Sequence, residues 1–194
     1  NGTVDTLYGA DVGGRIWRFD INEENTSKTN FAKGGVIADL NSGTAAGNTR
    51  FYTQPDVIYT DYGYFEYPDP DDSSNMLSRK IGRYQITIGS GFRAGPLSTA
   101  TKDHLFVIND FNVDEAPSSY TKLSMSDLAD YSSFASASAT KQMNGFYVTL
   151  QDDGEKILST TLTVNDVIYA PTFRPSDSTI EIGCEPDSGQ ARLL

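Results

Sequence analysis

Hydrophobic and polar positions alternate along most of this chain with the two-residue period of strands that bury one face. The pattern runs through TLYGADVGGRIWRFDI, GGVIADL, RFYTQPDVIYT, RYQITIGSGF, DHLFVINDF, GFYVTLQDDGEKILST and NDVIYAPTF. Gly13-Gly14 divides the first of these, and such a pair accepts the positive φ angles of a tight hairpin. Asp153-Gly154 is a second hairpin signal. Helical spacing occurs once, in KLSMSDLADYSSF (122–134), where Ser124 followed by Asp127 has the form of a capping box. Two stretches interrupt the alternation. DYGYFEYPDPDDSSNMLSRK (61–80) is acidic, aromatic and broken by Pro, and reads as a long loop inserted between strands; residues 132–144 read as a small-residue linker. The expected architecture is all-β with one short helix, its many short strands suiting a propeller or a sandwich.

Charge narrows the function classes. Fifteen Lys and Arg face 26 Asp and Glu among 194 residues, a formal net charge of −11. With no basic cluster to offset it, that surface repels nucleic-acid phosphates and anionic lipid, whereas excess carboxylate suits divalent cations. The Tyr, Ser, Thr and Asn content fits a secreted or cell-surface protein. No apolar run has the length of a bilayer span or the form of a signal peptide. A chain opening at NGTVD and stopping in the strand-like ARLL is expected to be a portion of a longer protein. Cys184 is the sole cysteine. It either pairs with a residue elsewhere or serves as a nucleophile, and an exported protein favours pairing.

Several residues carry candidate chemistry. In a calcium loop, oxygens at positions 1, 3 and 5 bind the ion, Gly at 6 makes the turn and position 7 offers a carbonyl. With Asn1 at position 5, Gly2 falls at 6, Thr3 supplies the carbonyl and Asp5 sits at 9; the same Asn-Gly pair also opens a hairpin turn. Asp110, Asn112 and Asp114 match positions 1, 3 and 5 of a second loop, but Glu115 stands in place of the Gly and Thr121 in place of the closing acid. Asp69, Asp71 and Asp72, with Glu66 nearby, form either a further cation site or a solvated loop. Tyr59, Tyr62, Tyr64, Phe65 and Tyr67 make an aromatic cluster, either a binding surface led by Tyr62, Tyr64 and Tyr67 or packing against the sheet. Trp17, in one strand with Ile16 and Phe19, reads as core. His104 is the lone histidine, no G-x-S-x-G elbow accompanies it, and GSGFRAG lacks the helix and acid of a dinucleotide loop. No triad or carboxylate pair assembles, so a non-enzymatic role is expected.

LYGADVGGRIWRFD resembles the signature segment of the type IV pilus PilY/PilC family, in which an Asp-rich calcium loop runs into a Tyr-Gly-Asp-type strand, a Gly turn and a Trp-Arg-Phe-Asp strand. TQPDVIY, ITIGSGFRAGPL, DHLFVINDFNV, NGFYVTLQDDGEKIL, VIYAPTFRPS and GCEPDSGQARLL follow in the family's order, covering nearly all of the chain outside 61–80 and 132–144. The resemblance implies a fragment of a modified, quinoprotein-like β-propeller at the C-terminus of an exported protein of a Gram-negative cell surface, pilus tip or outer membrane. It further implies Ca²⁺ held by Asn1, Thr3 (through its carbonyl) and Asp5. Its implied partners are minor pilin subunits of the type IV pilus and a host or surface receptor, in pilus biogenesis, retraction control and adhesion. The alternative is a quinone-cofactor dehydrogenase of related shape, which would need a stacking Trp, a bridging calcium and a catalytic Asp.

Overall fold

The computed structural model describes residues 5–22, 31–132, 139–176 and 189–194. Three layers of β-structure stack on one another. The first is an antiparallel sheet of β1 (Thr6–Ala10), β2 (Arg15–Ile21) and β3 (Ala32–Asp39) in sequential order. Gly14, at φ 79°, closes the β1–β2 turn; its amide bonds the Asp11 carbonyl, while the Asp11 carboxylate accepts from Gly13 and Arg15 amides. The expected hairpin is present.

The middle layer is a five-stranded sheet built from β4 (Asp56–Thr60), β7 (Arg83–Gly89), β8 (His104–Asp110), β9 (Ala129–Asp130) and β10 (Gly145–Thr149), in the order β4-β7-β8-β10-β9. Between β4 and β7, residues 61–80 were expected as a loop. They form instead a two-stranded ribbon of β5 (Phe65–Pro68) and β6 (Met76–Arg79), with the acidic turn at its tip. The third layer consists of two further ribbons, β11 (Leu162–Val164) with β12 (Val167–Tyr169), and β13 (Pro171–Arg174) with β14 (Gln190–Leu193). Asn165 and Asp166, at φ 50° and 61°, make the β11–β12 turn; such paired positive φ angles match the twist of the flanking strands.

Strand alternation assigns the two cores. Ile86, Ile88, Phe106 and Ile108 face the first sheet and pack with Ile16, Ile37, Ala38, Leu40 and Phe51. Leu105, one residue out of phase, faces the other way and packs with Leu150, Ile157, Ala170 and Ile168 of the third layer. The Thr161 hydroxyl ties that layer to β7 by donating to the Thr87 carbonyl.

Helical structure is displaced from its expected place. At 122–134 the structure holds one 3₁₀ turn (Met125–Asp127) followed by β9, while the α-helix, α1 (Ala139–Asn144), lies at the end of the stretch expected as a linker. The Ser124–Asp127 capping box is real but closes a single turn, because Leu123 and Tyr131 are drawn into backbone bonds with Ile37 and Tyr147. At Asp153-Gly154 the turn forms without a hairpin: Lys156 pairs with Phe173 and the Ile157 amide reaches Ser90, carrying the chain into the third layer. Lys156 is wholly buried, its ammonium donating to the Ser98 and Gly154 carbonyls.

Both outer layers keep apolar outward faces. On the first sheet, Leu7 pairs with Phe19, 49% and 40% exposed, beside Trp17 and Val36. On the β11–β12 ribbon, Leu162 pairs with Tyr169 and Val164 with Val167, all four exposed. Among the described residues no sheet closes on itself.

Candidate functional site

Beside their shared apolar core, the first and middle sheets also meet through charge. In RIWRFD the inward face carries Ile16, Arg18 and Asp20, while Trp17 and Phe19 point outward, so the expectation of a core Trp17 is reversed. Trp17 donates its indole N–H to Asp11 and lies parallel to Phe19, 6.2 Å between centroids. Phe19 in turn covers Gly34, where a side chain would collide with its ring.

Arg18 is 2% exposed. Its Nη2 and Nε donate to Asp20 at 2.6 and 2.9 Å, and its Nη1 donates to Asp110 at 2.6 Å and to the Asn112 carbonyl. Hydroxyls complete the cluster: Tyr8 donates to Asp110 at 2.9 Å and Tyr120 to Asp20 at 2.7 Å. Burial opposes charge on the guanidinium, but the bonds to Asp20 and Asp110 outweigh it and raise the Arg18 pKa. Burial likewise works against an ionised Asp110, yet bonds from Asn112 and Arg18 hold its carboxyl below the usual carboxylate range. Tyr120 is pushed up to about 12, first by burial and then by its bond to Asp20. Two strands and the 112–123 excursion are thereby clasped by one buried cation.

The sequence-derived candidates sort around this cluster. Asn1 and Thr3 lie outside the described residues, as does Cys184. Asp5 immediately precedes β1, and its carbonyl accepts the Ile21 amide. Of the second candidate loop, Asp110 bonds Arg18, Tyr8 and both nitrogens of Asn112, and Asp114 stands exposed. Asp114 and Glu115 instead join Asp5, Thr6 and Asp20 around a cavity of about 210 Å³ that also borders Arg18. These oxygen donors have the chemistry of a hard cation's ligands. Among the described residues, however, no group of three or more acidic, His or Cys side chains is arranged to hold a metal. At the ribbon tip, Asp69 and Asp72 accept from the backbone or side chains of Asp71, Ser74 and Asn75 and so shape their own turn.

The aromatic cluster divides. Phe65 is buried against Phe111, and Tyr67 lies under the Arg79 guanidinium. Tyr59, Tyr62 and Tyr64 stand 63%, 64% and 70% exposed on the ribbon flank, with the Lys80 ammonium 5.8 Å from the Tyr64 ring. The surface expected at Tyr62, Tyr64 and Tyr67 is therefore outward-facing at the first two.

A second cavity, of about 450 Å³, is bordered by the end of β8, by Tyr120 and by Asn144. Arg18, Asp20, Tyr120 and this cavity escaped the sequence reading. The available signal was Arg18 and Asp20 two residues apart with opposite charge, the spacing that puts both on one strand face.

The folded arrangement is not unique to this chain. It matches the crystal structure of the Pseudomonas aeruginosa PilY1 C-terminal domain with a TM-score of 0.55. The two share a fold. Identity is 17%, and the match covers 88% of this chain but 42% of the PilY1 domain, so this chain spans less than half of that domain's length. No family model and no curated protein sequence matches this chain.

Proposed function

We propose that this chain is part of a type IV pilus-associated, exported protein with a non-enzymatic role in pilus biogenesis, retraction control and surface attachment. The fold shared with the PilY1 domain over most of this chain carries the reading. The order of LYGADVGGRIWRFD, TQPDVIY, ITIGSGF, DHLFVINDFNV and VIYAPTFRPS supports it independently. The layers are successive blades of a modified propeller. Support comes from the two apolar outer faces: a stack that ends in Leu7 and Phe19 on one side and Leu162, Val164 and Val167 on the other leaves apolar area in water unless further strands cover it. Additional blades of the same domain would supply that cover. Tyr62 and Tyr64 are the proposed contact surface for a receptor or a pilin subunit, since exposed tyrosine gives contact area at low entropic cost.

Calcium, in this reading, is held by Asn1, the Thr3 carbonyl and Asp5. Supplied there, the ion adds local order rather than chemistry. Asp5 is well placed to pass that order on: the next residue, Thr6, donates to Asp20, and Tyr8 of the same strand donates to Asp110. Calorimetric titration of the full-length protein with calcium tests this. Saturable binding between roughly micromolar and millimolar is expected, lost in Asp5→Ala. Binding indifferent to Asp5, or none, contradicts the assignment.

A further inference from the structure

We infer that the cavity between the end of β8 and residues 117–121 is a binding site for a neutral saccharide. At about 450 Å³ it lies within the size range of small-molecule pockets. Its chemistry is selective. The carboxylate that borders it, Asp110, is already saturated: Oδ2 accepts from Arg18 at 2.6 Å and Tyr8 at 2.9 Å, and Oδ1 accepts from the Asn112 backbone and side chain. Among the described residues, no Lys, Arg or His lines the cavity. A cation thus finds no open carboxylate, and an anion finds no counter-charge within a strongly acidic protein.

What remains suits a polyhydroxylated ring. Ile37, Ile108 and Leu123 give an apolar floor, and Tyr120 supplies an aromatic wall against which the C–H face of a pyranose can pack. That wall is fixed: the Tyr120 hydroxyl is held by Asp20, and its ring lies over Gly35, where an added Cβ would come within 2.6 Å. Around it, the hydroxyls of Ser118, Ser119 and Thr121 both donate and accept, matching the dual character of sugar hydroxyls. The Asn112 and Asn144 amide nitrogens are committed to Asp110 and to the Asp127 carbonyl, which orients their carbonyl oxygens as fixed acceptors. The site draws on residues other than the exposed Tyr62 and Tyr64.

The test is NMR titration of the isotope-labelled full-length protein with galactose, mannose, N-acetylglucosamine and their β-linked disaccharides, and with the end-blocked tripeptide Gly-Asn-Gly as a neutral non-sugar probe. At least one saccharide is expected to shift resonances of Asn112, Ser118, Tyr120 and Asn144, with a Kd on the order of millimolar. Ser118→Trp, at an exposed position, should fill the cavity and weaken binding at least tenfold while leaving the Arg18, Asp20 and Asp110 resonances in place. Asn112→Ala should weaken it several-fold. The inference is overturned if no saccharide shifts those resonances, if the tripeptide binds equally well, or if Ser118→Trp binds like the parent.

Discussion

Arg18→Met is expected to destabilise the protein by about 3–5 kcal/mol, the largest effect of any single substitution considered, because it strands two buried carboxylates. Asp20 and Asp110 are each 7% exposed, and both take their closest bond from this one guanidinium. Without it, two buried carboxylates are left with no counter-charge, and that costs free energy. Denaturant unfolding followed by fluorescence measures the loss. Replacing Arg18, Asp20 and Asp110 together by apolar residues of similar volume should recover much of it, since the penalty arises from unpaired charge rather than from absent attraction. A single-mutant loss below about 1 kcal/mol, the scale of an exposed ion pair, would show that the cluster is hydrated and does not clasp the sheets.

The second large effect is a pH dependence centred on His104. Its ring lies between Phe106 and Tyr147, 5.3 and 5.6 Å between centroids, with Nδ1 buried and unbonded. Burial pushes its pKa down from 6.5 to about 4; Asp130 opposes the shift and Lys102 adds to it. Between those values the unfolded chain binds a proton that the folded chain refuses. Stability therefore falls as pH drops from about 6.5 to about 4, by roughly 3 kcal/mol in all, and His104 adds no further loss below. Asp103, whose carboxyl burial raises, titrates in the opposite sense. The His104 share is accordingly the difference between the parent and His104→Phe, whose profile should be flatter over this window. Parallel profiles would place His104 in contact with solvent.

Much of the fold was legible because alternation and turn chemistry act locally. The Gly13-Gly14 hairpin and the strands around Ile86, Phe106 and Phe146 form where the pattern puts them. What alternation cannot assign is which of two apolar-looking faces goes inside. In RIWRFD, hydrophobicity favours Trp17 and Phe19, but the partners that make Arg18 and Asp20 the inward pair, Asp110 and Tyr120, lie 92 and 100 residues away from them. The same limit hid the ribbon at 61–80, where Pro68 and the acids suggested a loop although Tyr67 pairs with Leu77 and Phe65 packs on Phe111. It also hid the Lys156 crossing, decided by carbonyls at Ser98 and Gly154. Of the candidate site, Asp5 and Asp114 were named as members of separate loops; that they border one cavity depends on the β1–β2 pairing and the path of residues 111–116.

The proposal that this chain works at a type IV pilus is tested most directly by asking where the protein is found. Pili sheared from the native bacterium and separated from membranes would be probed with antibody raised against this chain, alongside a strain lacking its gene. The account predicts the protein in the sheared pilus fraction, with few or no surface pili in the deletion strain and recovery on complementation. Its absence from that fraction, together with unchanged piliation and motility in the deletion strain, would contradict a pilus role and leave the likeness to the PilY1 domain as one of fold alone.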